Sequence, residues 1–161
     1  MILKIETGKD NPILRKKADP VSQITKTTLK LIKDMHETMI EASGVGIAAP
    51  QVGVSERIFL MTLDNKKVIA MINPEILEIS EEVEWGEEGC LSLPNQWGQV
   101  ERAPGVIIRF MDIKGQTVSM KFFDFEAREI QHELDHLNGV LFTDYLEDHQ
   151  ITFEVKEGEM V

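Results

Sequence analysis

The stretch His132-Glu133-Leu134-Asp135-His136 constrains this chain more than any other, because its spacing makes chemical sense only on an α-helix. Residues four apart on a helix stand nearly one above the other, so two imidazoles at that spacing can share one metal ion. With His132 at 0° on a helical wheel, His136 falls at about 40°, and Glu133 and Asp135 lie roughly 80° to either side of the metal direction. Neither carboxylate points at the ion, but one can reach a water bound to it, the division of labour in H-E-x-x-H hydrolases. Angle does not choose between the two carboxylates; the extra methylene of Glu favours Glu133. The back of the same helix carries Ala127, Ile130, Leu134 and Leu137, an apolar anchor that leaves the histidines facing a cleft. Gly139 supplies the stop signal.

A catalytic metal normally takes a third protein ligand and keeps a fourth position for water. A third histidine in the pattern H-E-x-x-H-x-x-G-x-x-H is ruled out, because the chain follows it as far as Gly139 and then places Phe142. Glu154 and Glu157 are poor candidates, since Ile151-Thr152-Phe153-Glu154-Val155 alternates like a strand. Cys90 is the only cysteine. A lone cysteine commonly ends as a small buried residue. Here Gly89 lets the backbone come close, and a run of acidic residues precedes the segment. A thiolate also suits a soft or borderline divalent metal. Cys90 is therefore the candidate third ligand.

Gly44, Gly46 and Gly53 raise the question of a phosphate loop. There is no G-x-x-x-x-G-K-[ST] pattern, and the loop follows a predicted helix instead of opening one. Small side chains from Gly44 to Pro50 better suit the close approach of an extended peptide.

Three separated segments resemble the peptide deformylases: Gly44-Val45-Gly46-Ile47-Ala48-Ala49-Pro50-Gln51-Val52-Gly53, then Glu88-Gly89-Cys90-Leu91-Ser92, then Gln131-His132-Glu133-Leu134-Asp135-His136-Leu137 continuing to Asp144. Asn11-Pro12-Ile13-Leu14-Arg15 and Pro20-Val21 also look like that family's N-terminal portion, so the likeness spans about residues 1–147. The resemblance implies that Cys90, His132 and His136 bind one divalent metal and that Glu133 is the general acid/base. It implies that the Gln51 side-chain amide and the Leu91 backbone N–H polarise the reacting carbonyl. The implied substrate is the formyl group on the N-terminal methionine of newly made peptides. For the methionine side chain the candidates are Val45, Gly46 and Phe125, with Glu129 on the metal face one turn before His132. Core packing is the competing expectation for Val45 and Phe125, and solvent exposure for Glu129. Fe²⁺ is the native ion expected, while Zn²⁺, Ni²⁺ and Co²⁺ suit the same ligands in purified protein. Asp135, Glu88 and Arg102 are expected to form a carboxylate–guanidinium link that orients the ligands. His36 and His149 have no motif around them and read as surface residues.

The element pattern is α+β, and the resemblance implies antiparallel sheets packed around a central metal-binding helix in a single domain, residues 1–161. The apolar stripe Leu31, Ile32, Met35 and Met39 predicts a helix over about 25–43, ended by Gly44. Hairpins are expected around Asp64-Asn65 (strands 57–63 and 67–73) and Lys114-Gly115 (strands 106–113 and 116–123). A strand over 75–85 should lead into a cysteine loop, and the metal helix should run over about 125–138. The last stretch, about 147–161, departs from the family in reading as a strand. It carries five acidic residues against one lysine, which argues against ribosome docking through a basic tail and leaves only transient proximity.

A net charge of −11 argues against nucleic acid or an anionic membrane as a binding surface. No segment is long and apolar enough to span a bilayer, and the start lacks the pattern of a signal peptide. One unpaired thiol fits a reducing, bacterial-type cytoplasm, with an organellar or viral origin open. Two other readings stand at this point: an H-E-x-x-H metallopeptidase that cuts internal bonds, and a non-catalytic module that binds peptide or metal.

Overall fold

The computed structural model describes residues 1–153. Three helices, α1 (Pro12–Arg15), α2 (Lys26–Glu41) and α3 (Asp124–Leu137), are distributed among eight strands: β1 (Gly46–Ala48), β2 (Ile58–Thr62), β3 (Val68–Ile79), β4 (Glu84–Cys90), β5 (Leu93–Arg102), β6 (Gly105–Met111), β7 (Thr117–Phe123) and β8 (Thr152–Phe153). One sheet has the order β1-β2-β3-β6-β7 and the other β4-β5-β8, with every neighbouring pair antiparallel. Among the described residues no helix is long and apolar enough to cross a membrane.

β2 explains the layering. Its sequence Ile58-Phe59-Leu60-Met61 is apolar at every position because both of its faces are buried, and side chains alternate across a strand. Ile58 and Leu60 join Met35 and Met39 of α2, whereas Phe59 and Met61 join Ala127, Ile130 and Leu137 of α3. The five-stranded sheet is thus covered by α2 on one face and by α3 on the other. The far side of α3 faces the β4–β5 hairpin, through Arg128, His132 and Asp135. A smaller apolar cluster of Leu93, Val100, Leu141 and Phe142 seats that hairpin.

Both expected hairpins and the metal helix are present, and α2 starts as its sequence suggests, with Thr25 and Thr28 forming a reciprocal cap. Three expectations need correction. The strand expected over 75–85 is broken at residues 80–83, where the chain leaves one sheet for the other. Cys90 does not lie in an open loop; it ends β4, hydrogen-bonded to a long return strand over residues 93–102 that the sequence reading left unassigned. Burial alternates along Gly98–Arg102, but the inward positions are a glycine, a valine and a charged arginine, so no apolar period of two marks the strand in the sequence. At the end of α2 the left-handed residue is Ser43 (φ 57°), not Gly44. Gly44 is small for another reason: the side chain of Leu91 fills the space where its Cβ would stand. Of the strand expected over about 147–161, the described residues show Thr152–Phe153, pairing with Trp97 and Gln96, whereas Asp148–Gln150 form a 3-10 turn; residues 154–161, with Glu154, Val155 and Glu157, lie outside the described residues.

Candidate metal centre

α3 presents His132 and His136 on one side, and the end of β4 brings Cys90 to the same point. One donor atom from each of the three lies within 4.8 Å of the others, and Cys90 Sγ is 3.3 Å from His136 Nε2. The two rings stand edge to face, 5.0 Å between centroids, while Phe142 stacks on His132. Both histidines are almost fully buried.

Orientation of His132 is set by Glu88, whose Oε1 lies 2.9 Å from Nδ1. Burial alone would raise the Glu88 carboxyl, but Arg102 and then His132 hold it down to about 2. An ionised carboxylate only accepts, so His132 Nδ1 donates, which leaves Nε2 as the ring atom that would face a bound cation. Arg102 grips both Glu88 oxygens, 2.9 Å each from Nε and Nη2, and reaches Asp135 Oδ2 at 2.7 Å from Nη1. The expected link between β4 and the metal helix is therefore formed. Burial lowers His136, with His132 adding to the effect. It would lower His132 too, but Cys90 and Glu88 reverse that and raise it.

Glu133 lines the cleft beside the three candidate donors. Burial pushes its carboxyl up to about 8, and its Oε1 has no hydrogen-bond partner among the described residues. β1 passes so close that a Cβ on Gly46 would collide with Glu133 Oε2 and stand 2.9 Å from Glu129 Oε2. Gln51 is buried in the turn after β1. Its Oε1 accepts from Ala48 N (2.9 Å), which turns Nε2 toward Ser92 Oγ (3.2 Å) and Cys90 Sγ (3.6 Å). Leu91 follows Cys90 at the tip of the β4–β5 hairpin.

Gln51, Cys90, Leu91, His132 and Glu133 line one cleft of about 510 Å³, together with Val45, Phe125, Glu129 and Trp97. Val45 and Phe125 are 44% and 50% exposed, so they are cleft walls and not core. Glu129 is half-buried, and burial raises its carboxyl. His36 and His149 are exposed, away from any cluster.

Three participants escaped the sequence reading. Arg128 donates to Glu88 Oε2 (2.7 Å), Val100 O and Glu84 O; its place four residues before His132 was the available signal. Ser92 and Tyr145 had none. Tyr145 hydroxyl donates to Asp135 Oδ2 at 2.8 Å, and its ring lies under Arg102, a contact only the chain reversal after α3 creates.

One sulfur and two imidazole nitrogens, converging beside an unpartnered buried carboxylate oxygen, fit a divalent cation of borderline softness. An α+β fold with two of these donors on a central helix and the third at the end of a facing strand defines a class of small proteins suited to binding a metal. The chain belongs to the polypeptide deformylase family, whose model matches residues 2–151. The peptide deformylase of Pseudothermotoga lettingae is 50% identical over 146 residues, covering 91% of this chain and 84% of that protein. The crystal structure of the Thermotoga maritima peptide deformylase superposes with a TM-score of 0.87 at 44% identity, covering 91% of this chain and 99% of that one. A class I type b peptide deformylase from Acinetobacter baumannii, solved with Met-Ala-Ser bound, gives 0.85 at 40% identity, over 91% and 99% of the two chains.

Proposed function

We propose that this chain hydrolyses the N-formyl group from the N-terminal methionine of newly made peptides. In this reading Cys90, His132 and His136 hold one divalent cation, Fe²⁺ natively and Zn²⁺, Ni²⁺ or Co²⁺ on purification. The observation that carries it is the convergence of those three donors within 4.8 Å, beside the buried Glu133 carboxyl, in a member of the deformylase family. A divalent cation in such a site supplies Lewis acidity and a nucleophile at neutral pH.

The chain's own residues supply the rest. Glu133 takes a proton from the attacking water as a carboxylate and delivers it as a carboxylic acid to the departing nitrogen; burial makes the ionised group a stronger base for the first transfer. The Gln51 amide and the Leu91 N–H donate to the formyl oxygen as negative charge gathers there, a contribution of about 3–4 kcal/mol per well-placed donor. The peptide lies extended along the edge of β1, the terminal strand of its sheet, where main-chain pairing needs no particular side chain. Val45, Gly46 and Phe125 wall the space for the methionine side chain. A thiol ligand and a substrate made at the ribosome both suit the cytoplasm, with ribosome contact transient. The whole chain acts as one catalytic unit.

Formate release from formyl-Met-Ala-Ser, run beside a casein digest, tests the reading. Deformylation without casein cleavage is expected, and casein cleavage without deformylation overturns it. Glu133→Ala should keep its metal by elemental analysis while losing about 10³-fold or more in turnover. Unchanged turnover would remove Glu133 from the mechanism, and no formate release by the wild type would leave only a binding module.

A further inference from the structure

We propose that Glu129, beside Glu133, is the receiving site for the amine that hydrolysis sets free, so that the enzyme holds its product as an ammonium ion. The inference rests on the deformylase reading and deepens it. Hydrolysis of a formamide, R–NH–CHO + H₂O → R–NH₃⁺ + HCOO⁻, breaks the C–N bond and turns a neutral nitrogen into a cation. Any carboxylate close to that nitrogen is therefore nearly indifferent to substrate and attracted to product.

Glu129 stands one helical turn before Glu133, and both Oε2 atoms converge on the same point above Gly46. The departing nitrogen must come to Glu133 to collect its proton, which brings it to this point. Among the described residues no basic side chain pairs directly with Glu129, although His132, Arg102 and Arg128 favour its charged form from a distance. The adjacent Arg128 spends its guanidinium on Glu88, Val100 and Glu84, and among the described residues no ion pair involves Glu129. Glu87, exposed on the lip of the cleft, adds charge of the same sign. An ammonium ion placed here offsets the cost of half-burying the Glu129 carboxylate, while the neutral formamide does not.

Calorimetric titration of metal-loaded protein with Met-Ala-Ser tests this, set against a desamino analogue in which hydrogen replaces the amine. Glu129→Gln should weaken Met-Ala-Ser about tenfold, the usual scale for losing one charge-assisted contact, and move the analogue by less than about twofold. Glu129→Asp, which keeps the charge but withdraws it, should fall between, and it carries the test should the Gln variant not fold. Equal weakening of both ligands, or no weakening of either, overturns the inference. Formate release by the wild type is measured in parallel. Its absence defeats the deformylase reading itself, whereas an active wild type with an unaltered ratio defeats only the role of Glu129.

Discussion

Gly139 shows how one backbone position can decide whether the metal helix ends correctly. Its φ is +75°, and a Cβ there would collide with the carbonyl of Arg15. The N-terminal segment closes over this helix end, with Ala18 N donating to Leu137 O at 2.8 Å. Gly139→Ala should therefore cost at least about 2 kcal/mol, combining left-handed strain with a backbone clash; a denaturant midpoint within error of wild type would refute this. Arg102 decides matters of charge. Buried at 6% exposure, it shares Glu88 with Arg128 and holds Asp135 under Tyr145. Removing it as Arg102→Leu leaves a buried carboxylate short of one partner, a loss of about 3–5 kcal/mol. Because Glu88 orients His132, metal affinity should fall about 10- to 100-fold as well. Unfolding curves and a competitive metal titration read the two effects separately.

At the scale of elements, α2 and α3 do different work on opposite faces of one sheet. α2 is structural: Met35 and Met39 are fully buried against Ile47, Ile58, Leu60 and Ile72, while neighbouring Ile40 is 58% exposed. Met39→Ala should cost about 2–5 kcal/mol, and Ile40→Ala should stay within about 0.5 kcal/mol. Similar losses at the two positions would mean that the buried face of α2 is wrongly assigned. α3 instead divides its surface, apolar toward the five-stranded sheet and polar toward β4–β5. The candidate donors His132 and His136 thus sit between two sheets, on a helix that cannot rotate without exposing Ile130 and Leu137.

For the molecule as a whole, the ends of the described chain are tied by charge. Arg15 forks onto Asp144, 2.6 and 2.9 Å from the two carboxylate oxygens. Burial would raise the Asp144 carboxyl, but the Arg15 contact outweighs it and holds the group below its ordinary range. A group whose folded pKa is depressed stabilises above its unfolded pKa, about 3.9 for Asp, and loses that contribution as pH falls through the folded value. The stability gap between wild type and Asp144→Asn should accordingly be full near pH 6 and shrink below about pH 4. A gap that persists undiminished at pH 2 would assign it to packing and not to charge. Both partners are about a third exposed, so the effect should be modest and salt-sensitive.

What the sequence determined by itself were the features whose physics is local. The His132/His136 spacing, the Thr25 cap, the turns at Asp64-Asn65 and Lys114-Gly115 and the stop at Gly139 each follow from neighbours a few residues away. Thiolate chemistry and the lack of a better ligand put Cys90 forward, and the resemblance to deformylases added Gln51; no spacing rule links either to α3. Tertiary structure alone decided the rest. It turned the region around Cys90 into a hairpin, broke the strand expected over 75–85 at residues 80–83, left Val45 and Phe125 at the mouth of the cleft, and brought Arg128, Ser92 and Tyr145 into the network. Those outcomes depend on which surfaces meet across tens of residues. Contacts of that kind leave no periodic trace along the chain, because the partner that dictates each side chain's environment belongs to another element.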